Sequence, residues 1–216
     1  GGRTSLVRVV ERVPGMSVGR AGGVGQATTL RLRGAEVSTR FHVTDGLPLD
    51  DLTHRLHLSA PGETDIVEVI RGAAPSARGT ELAGLAHVVR RSVNETSPLL
   101  AVDAEGGALG WRRLGVTTAG RRGDYDWSLG AANLEADNEQ PNSLYSQTAV
   151  AGRFGMRKGD ISTQLMFRGE TSELGLPGQT LLVPADLDAG EDRTQWTAGA
   201  VLRLHRGSTN KHELRL

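Results

Sequence analysis

The sequence predicts a mainly β protein: a short mixed α+β region, then long antiparallel strands of the outer-membrane barrel type. Three observations lead there. Glycine supplies 29 of 216 residues, close to twice the usual ~7%, which suits turns and strands better than helices. The second half alternates apolar and polar residues over stretches of roughly ten residues, the length of a strand that crosses a bilayer. The connections between those stretches run short, long, short, long, short, as the two ends of an up-and-down outer-membrane barrel do. The competing reading is a soluble β-sandwich or meander, whose strands are typically ~5–6 residues, about half the length seen here. No run of roughly 18 apolar residues exists, which speaks only to membrane-spanning helices.

Composition narrows the function classes. Lys plus Arg number 25, Asp plus Glu number 25, and the isoelectric point is near 7.2. That balance argues against general nucleic-acid binding, which shows a basic excess. With no cysteine there is no disulfide scaffold, thiolate zinc site or Cys nucleophile, and the chain suits an oxidising compartment. No Ser-His-Asp arrangement, Gly-x-Ser-x-Gly or Walker motif appears. The chain begins Gly1-Gly2-Arg3 without Met or signal peptide, and reads as a mature form or a fragment.

In chain order, Leu6, Val9, Val10 and Val13 fall on one helix face, and Pro14-Gly15 stops that helix. Met16-Ser17-Val18 reads as a short strand. Gly19 to Gln26 is a Gly-rich loop. Thr28 to Arg33 is a strand ended by Gly34. Phe41 to Thr44 is another, followed by an Asp45-Gly46 turn. Asp65 to Arg71 is a mostly buried strand broken by Gly72, and Leu85 to Val89 is an apolar strand. From Trp111 the long strands begin. Trp111 to Ala119 ends in a turn over Gly120-Arg121-Arg122-Gly123. Asp124 to Leu134 sets Tyr125, Trp127, Leu129 and Ala131 against Asp126, Ser128 and Gly130. After a polar loop, Ser146 to Arg157 sets Thr148, Val150, Phe154 and Met156 against Gln147, Ala149, Ala151 and Arg153. A turn at Lys158-Gly159-Asp160 leads to Ile161, Thr163, Leu165 and Phe167, opposed to Ser162, Gln164 and Arg168. A long loop is expected over 171–191. Thr194 to Leu204 then alternates, with Trp196 and Leu202 opposite Arg203, before a last turn at Gly207 to Asn210.

The first half carries a resemblance. Arg12-Val13-Pro14-Gly15-Met16-Ser17-Val18, the Gly-rich loop and Leu30-Arg31-Leu32-Arg33-Gly34-Ala35 resemble the plug domain of TonB-dependent outer-membrane receptors. Val43-Thr44-Asp45-Gly46-Leu47-Pro48-Leu49-Asp50-Asp51 is similar to that plug's "IDGVPLND" stretch. Asp65-Ile66-Val67-Glu68-Val69-Ile70-Arg71-Gly72, then Pro75-Ser76-Ala77, is similar to its "IERIEVLRGPxSALYG" stretch. Leu82-Ala83-Gly84-Leu85-Ala86-His87-Val88-Val89 sits where the family has "GxIGGVINI". The motifs stand in family order at family spacing. The departures are Arg78-Gly79 for Tyr-Gly, Ala83-Gly84 for Gly-Gly, and His87-Val88-Val89-Arg90-Arg91 at the end of the last motif.

The resemblance implies a plug over 1–97 and the N-terminal strands of a barrel over 98–216. Family barrels are of the 22-stranded, plugged type. About six strands fit in the second segment at roughly ten residues each, so an incomplete, truncated barrel is expected. It implies uptake of a scarce ligand such as a ferric siderophore or cobalamin, with a passive outer-membrane channel, a non-transporting surface receptor or a soluble β-rich binding domain as alternatives, no enzyme activity, no cofactor, and location in the bacterial outer membrane. The implied partners are a TonB-type energy-coupling protein, a small-molecule ligand such as a metal chelate, and outer-membrane lipid. Arg33 and Arg71 match family arginines that lock the plug to barrel-wall glutamates, with Glu68 on the same strand as Arg71. A guanidinium fork bidentate to a carboxylate supplies that lock; the alternative is a solvated strand-end arginine. Arg20 and Gln26 in the Gly-rich loop, and Asp50, Asp51 and His54 in the second apical segment, are the implied ligand-facing residues.

Other motifs count for less. Gly23-Val24-Gly25-Gln26-Ala27-Thr28 lacks the last glycine of a dinucleotide fingerprint and opens no helix. His54-x-x-His57 has metal-like spacing only on a helix. Asp186, Asp188, Glu191 and Asp192 suit calcium by their oxygens, though a solvated acidic loop is the simpler reading.

Overall fold

The computed structural model describes residues 12–20, 22–26, 28–32, 35–36, 41–43, 47–49, 65–71, 84–90, 99–178, 187–206 and 210–215. Every regular element among them is a strand. The expected helix over Leu6 to Val13 lies outside the described residues, except that Arg12 and Val13 sit in a bend ahead of the first strand. The chain divides into two compact units, Gly1–Ser59 with Glu63–Arg91, and Ala60–Gly62 with Ser92–Leu216.

The first unit holds two small sheets. Strands β1 (Met16–Arg20), β2 (Thr28–Leu32) and β3 (Ala35–Glu36) pair antiparallel in that order. Gly15 and Gly25, with φ of 83° and 87°, supply the left-handed backbone that brackets β1 and its turn. The other sheet has the order β5 (Leu47–Leu49), β4 (Phe41–Val43), β7 (Gly84–Arg90), β6 (Asp65–Arg71). Here β4 and β7 run parallel and the other pairs antiparallel. All five strands expected in this half are present.

The second unit is one seven-stranded antiparallel meander in which each strand pairs with its sequence neighbours. Its members are β8 (Leu99–Gly106), β9 (Arg112–Arg122), β10 (Tyr125–Ala136), β11 (Tyr145–Lys158), β12 (Ile161–Gly175), β13 (Gly190–Arg206) and β14 (Asn210–Arg215). Among the described residues, β8 and β14 are open edges. The sheet is an incomplete antiparallel wall, as expected, with one strand more than the roughly six anticipated.

Three boundaries differ from expectation. β9 continues through Gly120 to Arg122, and the turn is Gly123-Asp124. A two-residue hairpin loop suffices once its first residue accepts positive φ, and Gly123 does, at 59°. The next hairpin repeats the device at Gly159, φ 55°. The loop expected over 171–191 shrinks to 176–189, because β12 and β13 keep their ladder up to the Gly175–Gly190 pair. Its polar upper residues mimic a loop, but strand polarity follows surroundings rather than backbone preference. The third difference is β8, which the sequence reading passed over.

The five central strands have 11, 12, 14, 15 and 17 residues. A tilted strand of ~9–11 residues crosses a bilayer, so β11 to β13 are long enough to cross and extend beyond it. Connections 123–124 and 159–160, with the strand ends Arg206 and Asn210, lie at one end of the sheet. Connections 107–111 and 137–144, with the strand ends Gly175 and Gly190, lie at the other.

Candidate functional site

The register sorts the meander into two unlike faces, since successive residues of a strand point to opposite sides. One row runs Val116, Ala131, Val150, Gly169, Trp196 across β9 to β13. A row nearer the short turns runs Trp127, Phe154, Leu165, Ala200. This face carries nearly all the large apolar residues that stand exposed, among them Leu100 at 71%, Val102 at 68%, Trp196 at 67% and Leu165 at 53%. Val150, Phe154, Leu165, Phe167, Trp196 and Leu202 share it, as their alternation predicts. Arg153, Gln164 and Arg203 lie on the other side.

That other face is the protected one, which inverts the arrangement of a protein that keeps its apolar side chains from water. Its buried apolar members are Ala119, Leu134, Ala136, Tyr145, Ala149, Ala151, Leu174 and Val201, half of them alanine, and Thr117, Gln147, Arg153, Gln164, Glu170 and Ser172 are buried beside them. Buried charges require partners, and three are supplied. Arg113 Nη1 pairs with Asp103 and lies 3.6 Å from Glu105 Oε1. Arg153 Nη1 donates to Asp126 Oδ2. Arg168 Nη2 donates to Glu170 Oε2 at 3.0 Å.

Two of these pairs depend on a missing side chain. Asp103 leans over Gly115 and Asp126 over Gly155, directly opposite in register. A Cβ at either glycine would collide with the carboxylate that reaches across it. Sequence reading placed Arg153 on this face but found none of the pairs. The signal available was period-2 alternation in Asp103, Glu105, Arg113, Asp126 and Arg153, with opposite charges on neighbouring strands.

The long-connection end is tied together by backbone and amide hydrogen bonds. Asp137 N donates to Leu109 O at 2.8 Å, Gly175 N to Leu144 O at 2.8 Å, and Leu176 N to Ala189 O at 3.0 Å. Asn142 Nδ2 donates to Ala189 O at 2.7 Å and Leu176 O at 3.2 Å. Asn142 has φ 53°, a conformation asparagine tolerates. Between these connections lies a cleft of about 430 Å³, lined by Arg112, Glu135, Asp137, Glu173, Asp188 and Asp192 among others. Arg112 pairs with Glu135. No three acidic or His side chains among the described residues are arranged to hold a metal ion.

Of the residues singled out by sequence, Arg20 ends β1, aligned with Thr28. Gln26 is half-buried in the turn over 22–26, its N–H donating to Gly23 O at 3.3 Å. Glu68 and Arg71 lie in β6, aligned with His87 and Gly84. Arg33, Asp50, Asp51, His54, His57 and Asp186 lie outside the described residues.

No family model matches the chain. A vitamin B12 transporter of Photobacterium profundum, BtuB, is 27% identical over 168 residues, covering 72% of this chain and 28% of the transporter. Among solved structures, the outer-membrane ferripyoverdine receptor of Pseudomonas aeruginosa matches 96% of this chain with 30% of its own, at TM-score 0.71 and 15% identity. The FrpB iron transporter of Neisseria meningitidis matches all of this chain with 37% of its own, at TM-score 0.72 and 14% identity.

These likenesses support a fragment of a TonB-dependent outer-membrane receptor. The ferripyoverdine receptor that it resembles in fold is a protein of the outer membrane. The relatives named are transporters and receptors, not enzymes. The chain spans under a third of the length of the curated relative it matches. Its fold agrees with a partial barrel of that family.

Proposed function

We propose that this receptor imports a scarce small-molecule ligand, a cobalamin or a ferric siderophore, powered by a TonB-type partner. Residues 1–97 then act as the plug, and 98–216 as the first strands of the barrel wall. The observation that carries the reading is the inverted sheet: an exposed apolar face that suits lipid, and a protected face of small, polar and paired charged residues that suits a lumen. The choice of ligand class rests on the likeness to a vitamin B12 transporter and to iron receptors. No catalytic role is proposed.

In this reading Arg33 and Arg71, with Glu68 beside them, lock the plug to the wall. Arg20, Gln26, Asp50, Asp51 and His54 face the ligand on apical loops. Short connections face the periplasm and long ones the exterior. Cells relying on this receptor should accumulate labelled cyanocobalamin or a ferric siderophore, and lose that uptake when TonB is deleted. Arg33→Ala combined with Arg71→Ala should raise permeability to small antibiotics while leaving ligand affinity nearly intact; Arg20→Ala should weaken ligand binding alone. Uptake that persists without TonB contradicts active import, and a tight channel that no longer binds ligand in the double variant contradicts the lock.

A further inference from the structure

The two ends of the meander carry opposite charge. At the short-turn end, Arg121 and Arg122 precede Gly123-Asp124, Arg157 and Lys158 precede Gly159-Asp160, and Arg206 and Lys211 flank 207–209. Each of the first two hairpins thus sets two bases against one acid at its tip. Asp126, the next acid along, is committed to Arg153. The long-connection end is acidic on balance: Arg112 is committed to Glu135, and Asp137, Glu173, Asp188, Glu191 and Asp192 outnumber the one further base, Arg193.

The position of the bases on the sheet matters more than their number. Arg122 aligns with Tyr125, and Lys158 with Ile161, so both stand on the apolar face at its lower margin. Tyr125 is 61% exposed and Ile161 43%. Arg122, Arg157 and Lys158 are exposed, and neither Arg122 nor Lys158 makes an ion pair with another described residue. Cations directly below an apolar band lay their stems along it and hold their charge beyond it.

We infer that Arg122 and Lys158 form a docking surface for anionic glycerophospholipid in the leaflet at the short-turn end. The acyl chains lie against the apolar band above, and the headgroup phosphate meets the bases below. A guanidinium offers a phosphate two parallel donors, and an ammonium adds a compact charge. Continuity with the apolar band favours a lipid over a soluble polyanion, which would gain nothing from Tyr125 and Ile161. The acidic end would repel the same headgroup, so the preference belongs to one leaflet. This inference rests on the apolar face being lipid-facing.

The test uses the whole receptor in detergent micelles doped with phosphatidylglycerol or phosphatidylethanolamine, with retained lipid counted by native mass spectrometry. The receptor should retain phosphatidylglycerol preferentially. Arg122→Gln with Lys158→Gln should lower that preference about thirtyfold, as expected for losing two surface cations beside an anionic leaflet. Arg122→Lys with Lys158→Arg should keep it, and Glu173→Gln at the far end should leave it unchanged. Equal retention of the two lipids, full preference in the double Gln variant, or displacement by millimolar inorganic phosphate would each overturn the assignment. A spin label at Phe154 separates the two levels. If a chain-borne quencher reaches it without any lipid preference, only this inference fails. If the quencher does not reach it, the lipid-facing reading fails as well.

Discussion

Arg153 and Asp126 hold each other on the protected face, with side chains 11% and 17% exposed. Removing one partner of a buried pair costs about 3–5 kcal/mol, because the other charge is left uncompensated. Arg153→Ala should therefore destabilise the refolded receptor by about 3 kcal/mol in urea unfolding, allowing for the residual exposure. Arg153→Met with Asp126→Asn should cost clearly less, since neither charge remains to be buried alone. Equal losses in the single and double variants would mean that Arg153 acts through packing and not through its charge. Gly155 belongs to the same device, since its missing side chain is the space Asp126 occupies. At this scale the sequence was least informative. It assigned Arg153 to a face, but not the partner, because the contact joins residues 27 positions apart.

The hairpins are the elements on which the register depends. Gly159, at φ 55° and with nothing within reach of an added Cβ, is constrained by backbone alone. Gly159→Val should cost about 1–2 kcal/mol, the penalty of a left-handed residue bearing a Cβ, whereas Asp160→Asn should be nearly neutral. A neutral Gly159→Val in the same unfolding assay would mean the turn readily adopts another type. Long alternation made β10 to β13 legible from sequence, and Lys158-Gly159-Asp160 marked a real turn. β8 was missed although Leu100, Val102 and Ala104 alternate with Ala101, Asp103 and Glu105, because its open side and modest length of 8 residues weaken the pattern. The upper ends of β12 and β13 resemble a loop in sequence because Thr171, Glu173 and Glu191 are polar; strand residues beyond an apolar band have no reason to be otherwise.

At the scale of the whole molecule, the account turns on an inversion. Hydrophobicity summed over the chain is unremarkable, with a mean hydropathy of −0.30, because apolar residues on one face are offset by charged residues on the other. Only the phase of the alternation separates the faces, and that phase is legible in the sequence of β10 to β13. The first half was legible in a different way, through motifs whose strands occur where expected; most of the candidate ligand-facing residues lie outside the described segments. A one-residue slip of register would exchange the two faces completely, so the central claim is open to a direct measurement. In the membrane-embedded receptor, spin labels placed one at a time from Val150 to Met156 should show period-two access to a lipid-soluble quencher. The account predicts high access at 150, 154 and 156 and low access at 151, 153 and 155, with Gly152 omitted because Phe167 covers it. Uniform access along the strand, or maxima at the odd positions, would contradict it.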